Sequence, residues 1–246
     1  MNRLDSATDS RTPLGAVAAI VVATAPAADA STRELLWRPV AGRLLISWPL
    51  RALAQLGALG FCTLIAPPAY KDDALKAIQR EAPARVNAVI PTVSSAWRRA
   101  LASVEDIPAS CAWIIALDAA QSLVTAAGLR EGLRAAQRTG VAIAGEPVKE
   151  TLKHVTQGVV TETPPRASLA RLTAPVIFRR EALECALAAV PADADTAAEP
   201  DLIALAQRAG VPLVAFDAGN LSLRVTSEAD LAIVETLLSQ RPSEAL

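Results

Sequence analysis

Glycine-rich loops, metal-ligand clusters and long hydrophobic runs are all missing from this chain of 246 residues, and each absence removes a class of function. Histidine occurs once, as His154, which leaves no histidine cluster for a metal. A Ser-His-Asp triad would hang entirely on that one side chain, whose simpler reading is an exposed strand residue. The three cysteines, Cys62, Cys111 and Cys185, are widely spaced, with no CxxC pair and no partner histidine, which excludes a zinc site. Each lies in an apolar stretch and reads as a small buried hydrophobe in a reducing compartment. Aromatic residues are only 3%, and Trp37, Trp48, Trp97 and Trp113 sit in apolar contexts that read as core. No 18 uncharged apolar residues stand together, so no membrane span is expected. Basic and acidic side chains number 24 and 25, giving a net charge of −1 and no cationic surplus for nucleic acid. Lysine is scarce: Lys71, Lys76, Lys149 and Lys153 are the whole set, and none falls in the first 70 residues.

What is present is aliphatic. Hydrophobic residues make up 52% against 20% charged, which excludes a disordered chain and points to a soluble globular protein. The stretch 16–30, AVAAIVVATAPAADA, resembles a secretory signal core, but residues 1–15 carry two Arg and two Asp and lack the positive charge such a signal needs. It reads instead as a buried first strand after a disordered leader, residues 1–15, in a cytoplasmic protein.

Short β-branched runs then alternate with amphipathic stretches. Strands are expected at Val17–Ala23, Phe61–Ala66, Val86–Ile90, Trp113–Leu117 and Val141–Gly145. Helices are expected at Pro49–Leu59, Asp72–Glu81, Ser94–Val104 and Leu123–Arg138. Continuous apolar strands between such helices predict a Rossmann-like, doubly wound α/β fold, with a mostly parallel sheet and helices on both faces. After Gly145 the rhythm breaks. Glu146–Pro165 alternates as two strands about a turn at Gln157–Gly158, a protruding hairpin that cannot bury itself and therefore wants a partner subunit. Regular reading resumes with strand Leu172–Phe178, helices Arg179–Val190 and Pro200–Ala209, strands Pro212–Phe216 and Leu221–Val225, and a closing helix Ser227–Ser239. Ser227 is its expected N-cap and Asp230 its third position. The segment Pro191–Glu199 reads as a loop. With no second core in view, the expectation is one domain over residues 1–246 with an arm at 146–171.

Ligands of open parallel sheets bind where strands end at their carboxyl edge. Asp118 directly follows the run WIIAL. A carboxylate there suits either a magnesium ion carried on phosphates or the N-cap of the next helix. The segment 23–33 after the first strand, ATAPAADASTR, has no glycine, so neither GxGxxG nor a Walker A loop is present; its nearest cations are Arg33 and Arg38.

From Trp113 onward the chain resembles 2-C-methyl-D-erythritol 4-phosphate cytidylyltransferase, a family of Rossmann-like nucleotidyltransferases. Leu117-Asp118-Ala119-Ala120-Gln121 resembles the family's D-A-A-R. Val148-Lys149-Glu150-Thr151-Leu152-Lys153 resembles its V-x-D-T-[ML]-K arm motif. Arg166, with Leu172-Thr173-Ala174-Pro175 and Phe178, resembles its arm-return segment, and Arg224-Val225-Thr226 with Asp230-Leu231 its closing motif.

The resemblance implies transfer of a cytidylyl group from CTP to a methylerythritol phosphate, or a related sugar or polyol phosphate, with magnesium and release of pyrophosphate, by a homodimer whose arm reaches the partner's site. It implies a metal- and nucleotide-binding role for Asp118, with Ala23, Thr24, Ser94 and Ala119 around the nucleotide. It places Glu150, Thr151, Lys153 and Arg166 at the acceptor and Arg224 where the family has a catalytic lysine. The family's other lysine, after the loop, is missing, with Leu35 nearest its place, and Arg33, Arg38 or Arg98 is expected to take over its phosphate role, Arg33 as the catalytic cation. The departures are equally specific. The family's glycine loop is here Thr24-Ala25-Pro26-Ala27-Ala28-Asp29, the arginine after D-A-A is Gln121, and Ile90–Ala96 lacks the family's nucleotide-segment arginine. They leave a second reading beside the enzyme: a catalytically impaired paralogue that binds a ligand or a partner chain.

Overall fold

The computed structural model describes residues 16–23, 34–81, 88–91, 96–189, 201–208, 210–218 and 223–241. The leader, the phosphate-loop segment with Thr24 and Arg33, Ser94, and the loop Pro191–Glu199 lie outside these residues.

In chain order the strands are β1 (Ala16–Val22), the two-residue β2 (Pro39–Val40) and β3 (Arg43–Leu44), β4 (Leu59–Ala66), β5 (Ala88–Pro91), β6 (Cys111–Asp118) and β7 (Val141–Pro147). Then follow β8 (His154–Thr156), β9 (Val159–Glu162), β10 (Ala170–Arg179) and β11 (Leu213–Phe216). Seven of them form one sheet in the order β11-β7-β10-β6-β1-β4-β5. From β1 the chain builds outward through β4 and β5, then crosses back to lay β6 on the other side of β1. The order therefore reverses between β1 and β6, whose carboxyl ends meet with Val22 opposite Asp118.

The period of two along β1 divides the core. Val17, Ala19 and Val21 enter one buried cluster, and Ala18, Ile20 and Val22 the other. A strand buried on both faces must be apolar at every position, which is why AVAAIVV does not alternate. Helices cover both sides. The first cluster receives Leu50 and Leu53 from α1 (Ser47–Ala54), Ala74 and Ile78 from α2 (Lys71–Glu81), Leu129 and Leu133 from α4 (Ala126–Thr139), and Leu231 and Val234 from α7 (Glu228–Ser239). The second receives Ala100 and Leu101 from α3 (Ala96–Ala102), Leu183 and Ala186 from α5 (Arg180–Ala188), and Leu202 and Leu205 from α6 (Leu202–Arg208). The doubly wound α/β expectation is borne out.

One strand runs against it. β10 is antiparallel to both β6 and β7, while the other pairs of the seven-stranded sheet are parallel. β7 leaves the carboxyl edge into the arm, and the arm returns at that same edge, so β10 can only run back down the sheet. Helix boundaries also shift. The first helix stops at Ala54 rather than Leu59, because Gly57, at φ 79°, turns the chain into β4. The helix expected over Leu123–Arg138 begins only at Ala126, where Thr125 caps it through Gly128 N–H at 3.1 Å. The helix expected to Val104 ends at Ala102 in a 3₁₀ turn, Ser103–Asp106. The strand expected over Leu221–Val225 is not formed in its described part, Leu223–Val225. Cys62 and Cys111 are buried as expected, whereas Cys185 lies exposed on α5.

The arm forms as a hairpin, with Gln157 and Gly158 both at positive φ, 48° and 81°, in its turn. Its first strand is short: Val148–Lys153 is irregular, and only His154–Thr156 pairs with β9. His154 is exposed, as the sequence suggested.

Candidate active site

The candidate site is built where β6 ends, at the reversal of strand order. Asp118 closes β6, and Ala119 N–H donates to Val22 O at 2.9 Å, holding the turn against β1. The Asp118 carboxylate is engaged at both oxygens. Oδ1 accepts from Ala120 N–H at 2.8 Å, an Asx turn, and Oδ2 accepts from Arg224 Nε at 2.7 Å. The pair is partly shielded: the Asp118 side chain is 14% exposed and that of Arg224 35%.

Arg224 reaches Asp118 from 106 residues further along the chain, and the segment presenting it is pinned on both sides. Val225 N–H donates to Ala120 O at 3.0 Å. One residue later the chain enters the capping box of α7, where Asp230 Oδ2 accepts from Thr226 N–H and Ser227 N–H, each at 3.0 Å. Those N–H groups, Thr226 first, hold the Asp230 carboxyl below the ordinary carboxylate value. A third tie comes from Arg38, whose guanidinium donates to Glu228 at 2.8 Å across the start of α7.

Below the pair lies a cavity of about 250 Å³, walled by Asp118, Gln121, Thr173, Ala174, Asp201 and Arg224 among others. It opens where the β10–β7 ladder shifts register between Thr173 and Val176. Gln121 is buried, and its side-chain amide donates to Thr173 Oγ1. The carbonyl end of that amide, and the hydroxyl of the neighbouring Ser122, have no hydrogen-bond partner among the described residues.

Of the residues singled out in the sequence, Asp118, Ala119 and Arg224 are gathered here, and Ala23 directly follows β1, its N–H donating to Ile65 O. Glu150, Thr151 and Lys153 are not. They lie on the arm, where every residue from Lys149 to Thr163 is exposed, and Glu150 Oε2 accepts from its neighbour Lys149 N–H at 3.2 Å. Arg166 is exposed on the return, in the 3₁₀ turn Arg166–Ser168. The arm nevertheless leaves the sheet at the edge that carries Asp118, because β6 and β7 both oppose β10 and so run the same way. Thr24, Arg33 and Ser94 fall outside the described residues. Thr173 and Asp201 were missed as wall residues. Thr173 stands within the LTAP motif, while Asp201 gave no signal beyond that of a helix cap, accepting from Ile203 N–H at 2.8 Å.

No group of three or more His, Cys, Asp or Glu that could hold a metal exists among the described residues. Asp118 and Asp201 are the carboxylates on the described cavity wall, and Asp118 is the one at the reversal of strand order. An ionised carboxylate offers about four lone-pair sites, of which Ala120 and Arg224 use two. The residues fit a magnesium ion that arrives on a nucleotide's phosphates and needs one protein oxygen; they do not fit a resident, protein-caged ion. No described helix is long and apolar enough to cross a membrane.

Comparison with known proteins accords with this layout. The family model IspD, 2-C-methyl-D-erythritol 4-phosphate cytidylyltransferase, matches residues 17–240. A curated protein of that name from Dehalococcoides mccartyi (strain ATCC BAA-2266 / KCTC 15142 / 195) is 30% identical over 131 residues, 53% of this chain and 56% of that protein. The chain thus spans little more than half the length of this relative. Another of the same name, from Prochlorococcus marinus (strain MIT 9313), is 26% identical over 90% of this chain and 97% of its own length. Among solved structures, 4-diphosphocytidyl-2C-methyl-D-erythritol synthase from Anaerococcus prevotii superposes with a TM-score of 0.74 at 14% identity, covering 92% of this chain and 99% of that one. The cytidylyltransferase from Thermus thermophilus superposes with a TM-score of 0.65 at 22% identity, covering 90% and 98%. At these identities the structural likeness concerns the fold; the family match over 17–240 goes further, and the chain belongs to the 2-C-methyl-D-erythritol 4-phosphate cytidylyltransferase family.

Proposed function

We propose that this chain is a cytoplasmic cytidylyltransferase that joins CTP to 2-C-methyl-D-erythritol 4-phosphate, or a closely related polyol phosphate, in isoprenoid biosynthesis. An oxygen of the acceptor phosphate forms the new bond to the α-phosphorus of CTP. The bond from that phosphorus to the bridging oxygen breaks, and pyrophosphate leaves with the electron pair. The observation that carries the reading is the Arg224–Asp118 pair, set at the reversal of strand order in a chain of this family.

Arg224 holds a permanent positive charge at the sheet edge where negative charge grows on the transferring phosphoryl group. Asp118 aims that guanidinium through its Nε and leaves the terminal nitrogens for phosphate oxygens. A bound magnesium ion would neutralise phosphate charge, and Asp118 would contribute one oxygen to it. Ala23, Thr24, Ser94 and Ala119 would line the nucleotide, with Arg33 as the second cation. Glu150, Thr151, Lys153 and Arg166 would complete the acceptor site of a second copy, because their arm is exposed in its own subunit. Val155, Val159 and Val160 on that arm are 59%, 64% and 60% exposed, more apolar surface than a two-stranded hairpin leaves to water unless another chain covers it.

One observation favours the impaired paralogue: both oxygens of Asp118 already accept a hydrogen bond, so a phosphate-borne cation would have to use a remaining lone pair of an engaged carboxylate. Pyrophosphate release by the purified protein with CTP, magnesium and 2-C-methyl-D-erythritol 4-phosphate separates the two readings. Turnover within about a hundredfold of an intact family member supports the enzyme, since that deficit equals the loss of one preorganised donor. Release at background leaves the paralogue.

A further inference from the structure

Arg224 stands on a stretch of backbone that no ladder holds. Residues 223–225 form neither strand nor helix, yet the bond of 2.7 Å from Arg224 Nε to Asp118 depends on where that stretch lies. One anchor is the peptide that joins Arg224 to Val225: its N–H donates to Ala120 O at 3.0 Å, and the Val225 side chain is buried. A single hydrogen bond fixes a point and not a direction. A pivot there would swing the Arg224 side chain off the carboxylate.

The second anchor is Asp230. A capping box asks one thing of the side chain three positions into a helix, which is to accept from the N-cap N–H. Asp230 Oδ2 does so with Ser227 N–H at 3.0 Å, and it also accepts from Ser227 Oγ at 2.9 Å. The same oxygen accepts from Thr226 N–H at 3.0 Å and from Thr226 Oγ1 at 2.9 Å. Those two bonds are surplus to a cap, and they lie one residue closer to Arg224. Thr226 N–H belongs to the peptide after Val225, so two successive peptide planes behind Arg224 are held, the first by Ala120 and the second by Asp230. The other tie, Arg38 to Glu228, joins side chains 53% and 68% exposed, and a pair so open to water holds little.

We propose that Asp230 is a positioning residue for Arg224: through the Thr226 peptide, its carboxylate sets the Arg224 guanidinium against Asp118. This rests on the role given to Arg224 above and deepens it. Asp118 aims the guanidinium from the front, and Asp230 fixes the backbone behind it, which leaves the terminal nitrogens of Arg224 facing the reacting phosphates. Ser227, by contrast, serves the helix alone.

Nitrogen-15 NMR of the full chain, labelled in arginine, reads this contact without turnover. The Nε–H resonance of Arg224 is identified by its absence from Arg224→Lys, and it exchanges slowly with solvent while Asp118 holds it. Asp230→Ala is expected to speed that exchange about 10- to 100-fold, the equivalent of one hydrogen bond to a charged group. Ser227→Ala removes the cap hydroxyl and keeps both Thr226 bonds, so it is expected to lower the melt while changing the exchange less than about threefold. In the pyrophosphate assay Asp230→Ala is expected to lower kcat at least about tenfold with little change in the KM for CTP, the mark of an interaction made in the transition state. If melts show that Asp230→Ala does not fold, Asp230→Asn, which keeps a neutral acceptor, decides in the same direction with a smaller change. The proposal is overturned if the unmodified protein shows no protected Arg224 Nε–H, if protection persists without the Asp230 carboxylate, or if Ser227→Ala abolishes it equally. Protection that depends on Asp230, in a protein that releases no pyrophosphate, sustains the positioning and removes the enzymatic reading instead.

Discussion

Replacing Asp118 by asparagine keeps the side chain's shape and one acceptor oxygen while removing its charge, and the structure separates the two consequences. For stability, the change weakens one charge-assisted bond, Arg224 Nε to Asp118 Oδ2 at 2.7 Å, between groups that are 35% and 14% exposed. A half-screened pair of this kind contributes about 1 kcal/mol, between the values for exposed pairs and for buried charged hydrogen bonds. In a domain of this size that lowers Tm by roughly 2–4 °C. For catalysis as proposed, the guanidinium would lose the group that aims it, and a phosphate-borne cation would lose its protein oxygen. Removal of one preorganised electrostatic element costs about 2.7–4 kcal/mol at the barrier, or roughly 10²–10³ in rate. A steady-state pyrophosphate assay beside a thermal melt reads both quantities. A variant within about tenfold of the unmodified kcat/KM, or one whose activity falls only in step with a melt lowered by more than about 10 °C, would refute the placing of Asp118 at the reacting phosphates.

Other outcomes follow from single sites. Gly132→Ala places a Cβ 2.5 Å from Phe216 Cζ and 2.6 Å from Ile177 Cδ1, and this overpacking is expected to destabilise by about 1–3 kcal/mol in urea unfolding despite alanine's better helix propensity. Ser227→Ala removes the N-cap of α7 at a cost of about 1 kcal/mol. Asp230 of the same cap has its carboxyl lowered on folding from the ordinary 3.8, so its stabilisation is complete above that value and is lost as pH falls below it; denaturation of the unmodified protein and Asp230→Asn should converge only in acid. Burial pushes the Cys62 thiol up to about 12, and Cys111 is also buried, so a thiol reagent at about pH 8 should label one cysteine quickly, Cys185, and all three after denaturation. Val155→Asp with Val160→Asp charges the exposed face of the arm and should split the proposed arm-mediated dimer into monomers in sedimentation, with little change in the melt.

The sequence made β6 and Asp118 legible because WIIAL is apolar at every position, as a strand buried on both faces must be, and the first charge after it marks the sheet edge. The arm was legible through its alternation and through Gln157–Gly158, which suit a turn with two positive φ angles. The direction of β10 was not, because LTAPVIF reads alike in either sense; only the return from the arm at the carboxyl edge decides it. Leu223–Val225 carries the apolar spacing of a strand but is held by one backbone bond to Ala120 and by Arg224's contact with Asp118, so a tertiary tether replaces a ladder. That contact spans 106 residues, and no spacing rule reaches so far. The arm motif named Glu150, Thr151 and Lys153, yet in the fold they stand exposed on the arm and none of them lines the cavity, a separation that local spacing does not encode. Cys185 is the opposite case: its apolar neighbours suggested burial, but it falls on the solvent side of α5.

Phosphorus-31 NMR of the reaction with CTP, magnesium and 2-C-methyl-D-erythritol 4-phosphate observes the bond that the account says is made. The account predicts a new pair of coupled diphosphate resonances that grows with free pyrophosphate, one for one, and is absent with Asp118→Asn. Unchanged CTP resonances over a full incubation, or release of inorganic phosphate without the coupled pair, would contradict it.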